Sequence, residues 1–286
     1  MNDGKRFLNL GCGAKVSVVG NWTDVDQSSP VKGVLTMNIL SGLDFPENTF
    51  DVVYSSHFVE HLDLKQLDRV LKEVFRVLKP RGIIRVATPD LEELVNSYTK
   101  YLDELKSGPD LLVEKKYDWI RTELFDQIVR DKSGGDMVDT MNNAQGEMSK
   151  FLFDRFGLAF SEIASGKPTI PKGGISNKFK GRSPLEVLKR ITNYLSRLIT
   201  SMVSSKAAKI GLFRMSGEVH RYMHDAYSLD RAFTQAGFSE AKVMSAFDSD
   251  IENWASYGLD SNGTVGHGPT ALFMEAHKIA ERRVKD

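Results

Sequence analysis

A single cysteine, Cys12, in 286 residues leaves no partner for an internal disulfide and no set of thiolates for a cysteine-based zinc site. It also argues against thiol chemistry. A reactive thiolate needs a base or a cation beside it, no such neighbour is identifiable, and Cys12 reads as a small filler between Gly11 and Gly13. Net charge is missing as well. The 38 basic and 38 acidic residues cancel, which removes the global field of a nucleic-acid binder. No run approaches the roughly 18 apolar residues of a membrane-spanning helix. The opening MNDGKRFLNL lacks the apolar core of a secretory signal, so a cytoplasmic location is expected. No internal repeat is visible. What remains, with 41% hydrophobic and 27% charged residues, is ordinary globular composition.

What is present begins with RFLNLGCG, residues 6–13. A short apolar run stops at Gly11-Cys12-Gly13, as a buried parallel strand ending in a tight turn does. Glycines there let the backbone come close to a ligand. Residues 22–26 read as a second strand ending in Asp26, with Asp24 two places before it, and 33–36 as a third. A carboxylate at the tip of the second strand is where Rossmann-like folds hold a ribose. Only Ala14 to Asn21 separate the first two strands, fewer than the dozen or so residues of a normal crossover, so the first helix is expected to be a single turn or absent.

Further along, residues 50–55 (FDVVYS) read as a strand, and Asp63 as the N-cap of a helix with an apolar stripe from Leu64 to Leu78. Pro80 and Gly82 stop that helix, and 83–87 form the next strand. Residues 91–105 and 117–130 read as helices, and 166–184, with three prolines, as a connector. Ser228 is expected to cap a helix over 229–236, followed by antiparallel strands at 241–247 and 271–277. The fold expected is α/β: a Rossmann-like, mostly parallel, seven-stranded sheet with an antiparallel last strand and a helical insertion after the fifth strand. Residues 1–100 and 212–280 make the discontinuous core, 101–211 the mainly helical insertion, and 281–286 a charged tail. An insertion there emerges at the carboxyl edge of the sheet, where ligands of such sheets bind, and is expected to serve as a lid, substrate platform or dimerisation region.

Two nucleoside-cofactor classes compete for the first turn. A dinucleotide fingerprint needs a small residue three places after its second glycine and a helix to receive the pyrophosphate. Val16 fills that position and the helix is missing, so a nucleoside without phosphates is favoured.

LNLGCG, WTDVD, FPENTFDVVYSSHFVEHL, LKEVFRVLKPRGIIRVATPDLE and HRYMHDAYSLDRAFTQAGF together resemble a class I S-adenosylmethionine-dependent methyltransferase, of the small-molecule branch often associated with glycan biosynthesis. The resemblance implies S-adenosylmethionine as cofactor and a cofactor shell of Asn9, Gly11, Cys12, Gly13, Asp26, Asn38, Ile39, Ser55 and Ser56. Gly11 and Gly13 would approach the methionine part, Asp26 the ribose hydroxyls, and Asn38 and Ile39 the adenine. Ser55, Ser56 and His57 would line the mouth of the site. Three departures stand out. Asn9 and Asn38 replace acids, and Arg81 replaces the first glycine of the usual KPGG turn.

Methyl transfer is a displacement in which alignment dominates and a base serves chiefly a hydroxyl acceptor. His57 and His220 are the candidate catalytic groups. His61, Arg221, Tyr222 and Trp254 are candidate substrate contacts, and Tyr257 and His267 lie in the same late loop as Trp254. His57 and His61, four apart with Glu60 between, resemble half of a metal site. No full ligand set is legible, and no metal is expected. An apolar stripe over 184–209 lies where Lys167 to Arg221 hold twelve basic residues against two glutamates. It is a candidate for peripheral membrane contact or for a homodimer interface. The function expected is methyl transfer to a small molecule or glycan intermediate, by O-methylation. The alternatives are a catalytically silent binding module of the same fold, or a nucleotide-dependent oxidoreductase or epimerase.

Overall fold

The computed structural model describes residues 4–17, 19–165, 206–260 and 270–279. Seven strands form one sheet: β1 (Phe7–Leu10), β2 (Trp22–Asp26), β3 (Leu35–Thr36), β4 (Phe50–Ser56), β5 (Leu78–Pro89), β6 (Ser239–Met244) and β7 (Ala271–His277). Their order is β3-β2-β1-β4-β5-β7-β6. The first five run parallel, while β7 pairs antiparallel with both β5 and β6. The carboxyl ends of β1, β2 and β4 therefore share one edge. No helix occurs between β1 and β2 among the described residues, as the short connection requires.

Although mostly parallel, the sheet buries two different faces. Leu8, Leu10, Val25, Val53, Ile84 and Val86 point to the face covered by α1 (Leu64–Val77) and α8 (Ala226–Gln235). The apolar residues of α1 recur at three- and four-residue steps, so they line one stripe, and Asp63 caps it in a capping box with Gln66. The cap of α8 is Asp225 rather than Ser228. Ser228 is the third residue of that helix and bonds back to the Asp225 N–H, so both residues share one capping box. The sixth strand starts and ends earlier than 241–247, with Glu240 at φ 55° marking an irregular register. The fifth starts earlier than 83–87. Arg81 sits inside it at φ 68°, in the left-handed region where glycine costs nothing.

Among the described residues no helix covers the opposite face over β1 and β2. Phe7, Trp22, Val52 and Tyr54 instead pack against Ile251, Trp254, Tyr257 and Leu259, which return from beyond β6. Trp22 sits within 6.5 Å of Tyr54, Trp254 and Tyr257, centroid to centroid. One row across this face is polar. The register aligns Asp24 with Asn9, Asn9 with Tyr54, Tyr54 with Arg85, Arg85 with Glu275, and Glu275 with Lys242.

After β5, helices α2 (Leu91–Ser107), α3 (Leu111–Val129), α4 (Gly135–Asn143), α5 (Glu147–Phe156) and α6 (Leu158–Ala164) follow, and α7 (Lys206–Arg214) precedes the return to the sheet. Tyr101, Trp119, Ile120, Met141 and Leu152 give α2–α6 a core of their own. The connector expected at 166–184, most of the 184–209 stripe, His267 and the 281–286 tail lie outside the described residues. No helix among the described residues is long and apolar enough to cross a membrane.

Candidate active site

The first turn is built by hydrogen bonds that only a glycine-rich sequence accommodates. Gly11 and Cys12 donate their N–H groups to the Val25 carbonyl, at 2.9 and 3.2 Å. Gly11 and Gly13 adopt φ values of 68° and 53°, a region that costs residues with a Cβ. At Gly11 a Cβ would also lie 2.6 Å from the Phe58 ring, whereas at Gly13 nothing comes within 4 Å. The turn is thus closed below and open above. The Gly13 N–H donates to Asp26 Oδ2 at 2.9 Å, and the Ser28 N–H to Oδ1 at 2.7 Å. Each carboxylate oxygen keeps acceptor capacity, and Asp26 is half-buried at the end of β2.

The neighbouring strands complete the edge. Asn38 caps a short 3-10 turn at Ile39–Ser41, its Oδ1 accepting from the Leu40 N–H. Ser55 is buried and donates to the Leu10 carbonyl at 3.1 Å, tying β4 to β1. Ser56 is half-buried at the last position of β4. Asn9 lies elsewhere: 1% exposed, it donates to Asp24 Oδ1 and to the Lys15 carbonyl, both at 2.8 Å. Its amide belongs to the polar row and pins the loop after the turn. Cys12 is buried, and burial together with Asp24 and Asp26 pushes its thiol up to about 12. It is inert at neutral pH.

Beyond β4 the chain turns sharply. His57 takes φ 49°, and its Nδ1 lies 2.9 Å from Glu60 Oε1. Glu60 is fully buried. Burial pushes its carboxyl up, but the His57 hydrogen bond and the imidazoles around it outweigh that and hold it at about 2. An ionised carboxylate only accepts, so His57 Nδ1 donates. The His57 side chain is 39% exposed.

The segment 219–224 is docked onto the same glutamate. Arg221 and Tyr222 both donate their backbone N–H groups to the Glu60 carbonyl, at 2.7 and 3.2 Å. His220 donates its backbone N–H to the Gln127 carbonyl, and His224 bridges Asp90 at the end of β5. His61 and His220 meet edge to face, 4.8 Å between centroids. His61, Arg221 and Tyr222 thus lie around one group. The Arg221 and Tyr222 side chains are exposed.

Two expectations do not survive this geometry. His220 is 5% exposed, and burial lowers its pKa to about 3. Its imidazole is too weak a base to take an acceptor proton at neutral pH. Trp254 offers no face to an acceptor: 3% exposed, it packs on Tyr54 and on the Arg85 guanidinium, 4.6 Å from its ring. Glu60 and His224 were not among the expected site residues. The spacing of HFVEH held the only signal for Glu60, since a carboxylate between two histidines has two nitrogens in reach.

Residues 8–86 match a family model described as a methyltransferase domain. That stretch is thus similar to a methyltransferase domain, on a sheet whose glycine turn faces Asp26. S-adenosylmethionine is the cofactor of such domains, and the residues present fit it: the turn is open above Gly13, and Asp26 retains free lone pairs beside it. A 57-residue stretch is 44% identical to "Probable methyltransferase ltbC" of Aspergillus luteorubrus, covering 20% of this chain and 19% of that protein. Over 139 residues, the domain and its surroundings are 28% identical to a phosphoethanolamine N-methyltransferase of Plasmodium falciparum, covering 46% of this chain and 50% of the relative. The matches thus span half or less of these relatives' length. A methyltransferase structure from Archaeoglobus fulgidus aligns over 96% of this chain and 86% of its own, at 14% identity and a TM-score of 0.39.

Proposed function

We propose that this chain transfers the methyl group of S-adenosylmethionine to a hydroxyl of a small molecule or glycan intermediate. The observation that carries the reading is the Gly13 N–H to Asp26 contact of 2.9 Å, which places an open glycine turn and a strand-end carboxylate side by side. In this reading Gly11 and Gly13 admit the methionine part, Asp26 holds the ribose hydroxyls, and Asn38 and Ile39 border the adenine. The bound cofactor supplies an electrophilic methyl on a sulfonium. The protein's task is then to align the acceptor and exclude water.

His57 receives the acceptor proton at Nε2 while Glu60, bonded to Nδ1, fixes the ring and stabilises its charged form. Arg221 and Tyr222, exposed on the docked segment, face the acceptor. The layer α2–α6, which follows β5 at the carboxyl edge, is its platform. The likeness to a phosphoethanolamine N-methyltransferase makes an amine acceptor the second reading. A free amine needs no base, so transfer to it would survive His57→Ala.

Calorimetry with S-adenosylhomocysteine and with NAD tests the cofactor assignment. Binding of the first alone is expected, and binding of neither removes the reading. Asp26→Ala should weaken S-adenosylhomocysteine by roughly 10- to 100-fold, the worth of hydrogen bonds to a charged group. An unchanged affinity would overturn the ribose assignment. Labelled methyl transfer to sugars, lipid-linked glycans and phosphoethanolamine identifies the acceptor class. Tight cofactor binding without turnover on any acceptor would point to a silent binding module.

A further inference from the structure

Glu60, His61 and His220 converge where the segment 219–224 docks beside the carboxyl edge of the sheet, and methyl transfer as read above leaves two of them without a chemical task. Each offers one ligand atom, and these atoms all lie within 4.8 Å of one another. We propose that they form a binding site for a divalent transition-metal ion of the zinc or cobalt type. The assignment stands on the cluster itself and goes beyond the methyl-transfer reading.

Four observations support it. The first is composition. Two imidazoles and one carboxylate are the donor set of three-ligand zinc centres that keep an open fourth position. Imidazole nitrogen favours such metals over magnesium and calcium, which take oxygen. The second is His220, which is 5% exposed with a buried Nδ1 that meets no hydrogen-bond partner. Buried nitrogens are rarely left so, and a metal would satisfy it.

The third is orientation. His61 Nδ1 lies 3.4 Å from the Val219 carbonyl. Donation there leaves Nε2 with the lone pair, the arrangement by which outer partners set a ligating histidine's tautomer. Thr88 Oγ1 likewise donates to Glu60 Oε2 at 3.3 Å. The fourth is charge. Among the described residues no lysine or arginine pairs with the fully buried Glu60, and a divalent cation would compensate it. A metal about 2.0–2.2 Å from each ligand holds them no more than about 4 Å apart, so closing the cluster takes a rotamer adjustment of under about 1 Å. The backbone bonds from Arg221 and Tyr222 to the Glu60 carbonyl already hold the two chain segments together.

The test uses untagged full-length protein freed of metal with a chelator and titrated with Co²⁺. One Co²⁺ per chain with visible ligand-field bands is expected, displaced by one Zn²⁺ and not by millimolar Mg²⁺. His61→Ala and His220→Ala should each weaken Co²⁺ binding by at least ~100-fold, the upper end for loss of even an outer partner. His277→Ala, at the surface pair with Asp250, should leave it unchanged. S-adenosylhomocysteine binding, measured on each variant, reports the fold and the cofactor reading separately. Should His220→Ala lose that binding, the more exposed His61 decides. No stoichiometric Co²⁺ uptake by the wild type, displacement by Mg²⁺, or an unchanged affinity in His61→Ala would overturn the proposal.

Discussion

Two of the buried charged clusters in this fold, around Arg85 and around Glu60, are built on opposite rules. Around Arg85, fully buried in the polar row, the charged groups are paired. Its guanidinium makes four hydrogen bonds, to Asp260, Glu275 and the carbonyls of Asp248 and Ser245, at 2.7 to 3.0 Å. Tyr54 donates to Asp260, and Ser249 and Asp250 donate to Glu275. Around Glu60 pairing is incomplete, with His220 Nδ1 and both His224 nitrogens meeting no partner. A saturated cluster holds a structure in register. An unsaturated one retains capacity for something that arrives later. The first joins residues 245–260 to the sheet, and the second lies where the segment 219–224 docks on Glu60.

Mutations that strip one cluster should therefore hurt folding, and those in the other should not. The largest effect is expected from Arg85→Met, which strips the guanidinium from the buried Glu275 and leaves Asp260 with Lys15 at 3.7 Å. A loss of about 3–5 kcal/mol in urea unfolding is expected, and a loss below about 1 kcal/mol would refute the structural role of the row. Next comes Lys15, whose Nζ lies 3.1 Å from the Tyr54 hydroxyl and 3.7 Å from Asp260. Burial lowers its pKa to about 8 from an ordinary 10.5, against the raising pull of Asp260. The folded state then binds fewer protons than the unfolded state between these values, so stability rises with pH in that window. Relative to Lys15→Met, the wild type should gain about 1.5 kcal/mol between pH 8 and 9.5. A flat difference would show the amine is not held in this way. The smallest effect is expected from His220→Leu in chelator-treated protein. Replacing a buried group that lacks a partner for Nδ1 should change stability by no more than about 1 kcal/mol. A loss above 3 kcal/mol would erase the contrast between the clusters.

Sequence and fold agree best where the signal is local. The turn at Gly11-Cys12-Gly13, Asp26 at a strand tip and the Asp63 cap are each set by neighbours a few residues away, and each occupies its expected place. Asp225 and Ser228 show the limit of that legibility. Both are good caps, and only the hydrogen bonds decide which residue begins the helix. The polar row was out of reach. Its members come from six strands, and register alone sets Asn9 beside Tyr54 and Arg85 beside Glu275. Arg85 lies in an otherwise apolar strand, and Asn9 drew a cofactor role from its place two residues before Gly11, where the family it resembles often has an acid. HRYMH stood out for its density, but its position on Glu60 depends on a return across 160 residues of chain.

The helix absent after β1 among the described residues has a consequence for the order in which this protein can be made. Its place over β1 and β2 is taken by residues whose partners lie far apart in the chain, as in the bond from Tyr54 to Asp260, 206 positions away. On a ribosome Phe7, Trp22 and Tyr54 emerge long before Ile251, Trp254 and Tyr257, and they stay uncovered until those residues have followed. Contacts of such separation close slowly, and exposed strand faces invite association meanwhile. The strands that carry the glycine turn are translated well before the residues that cover them.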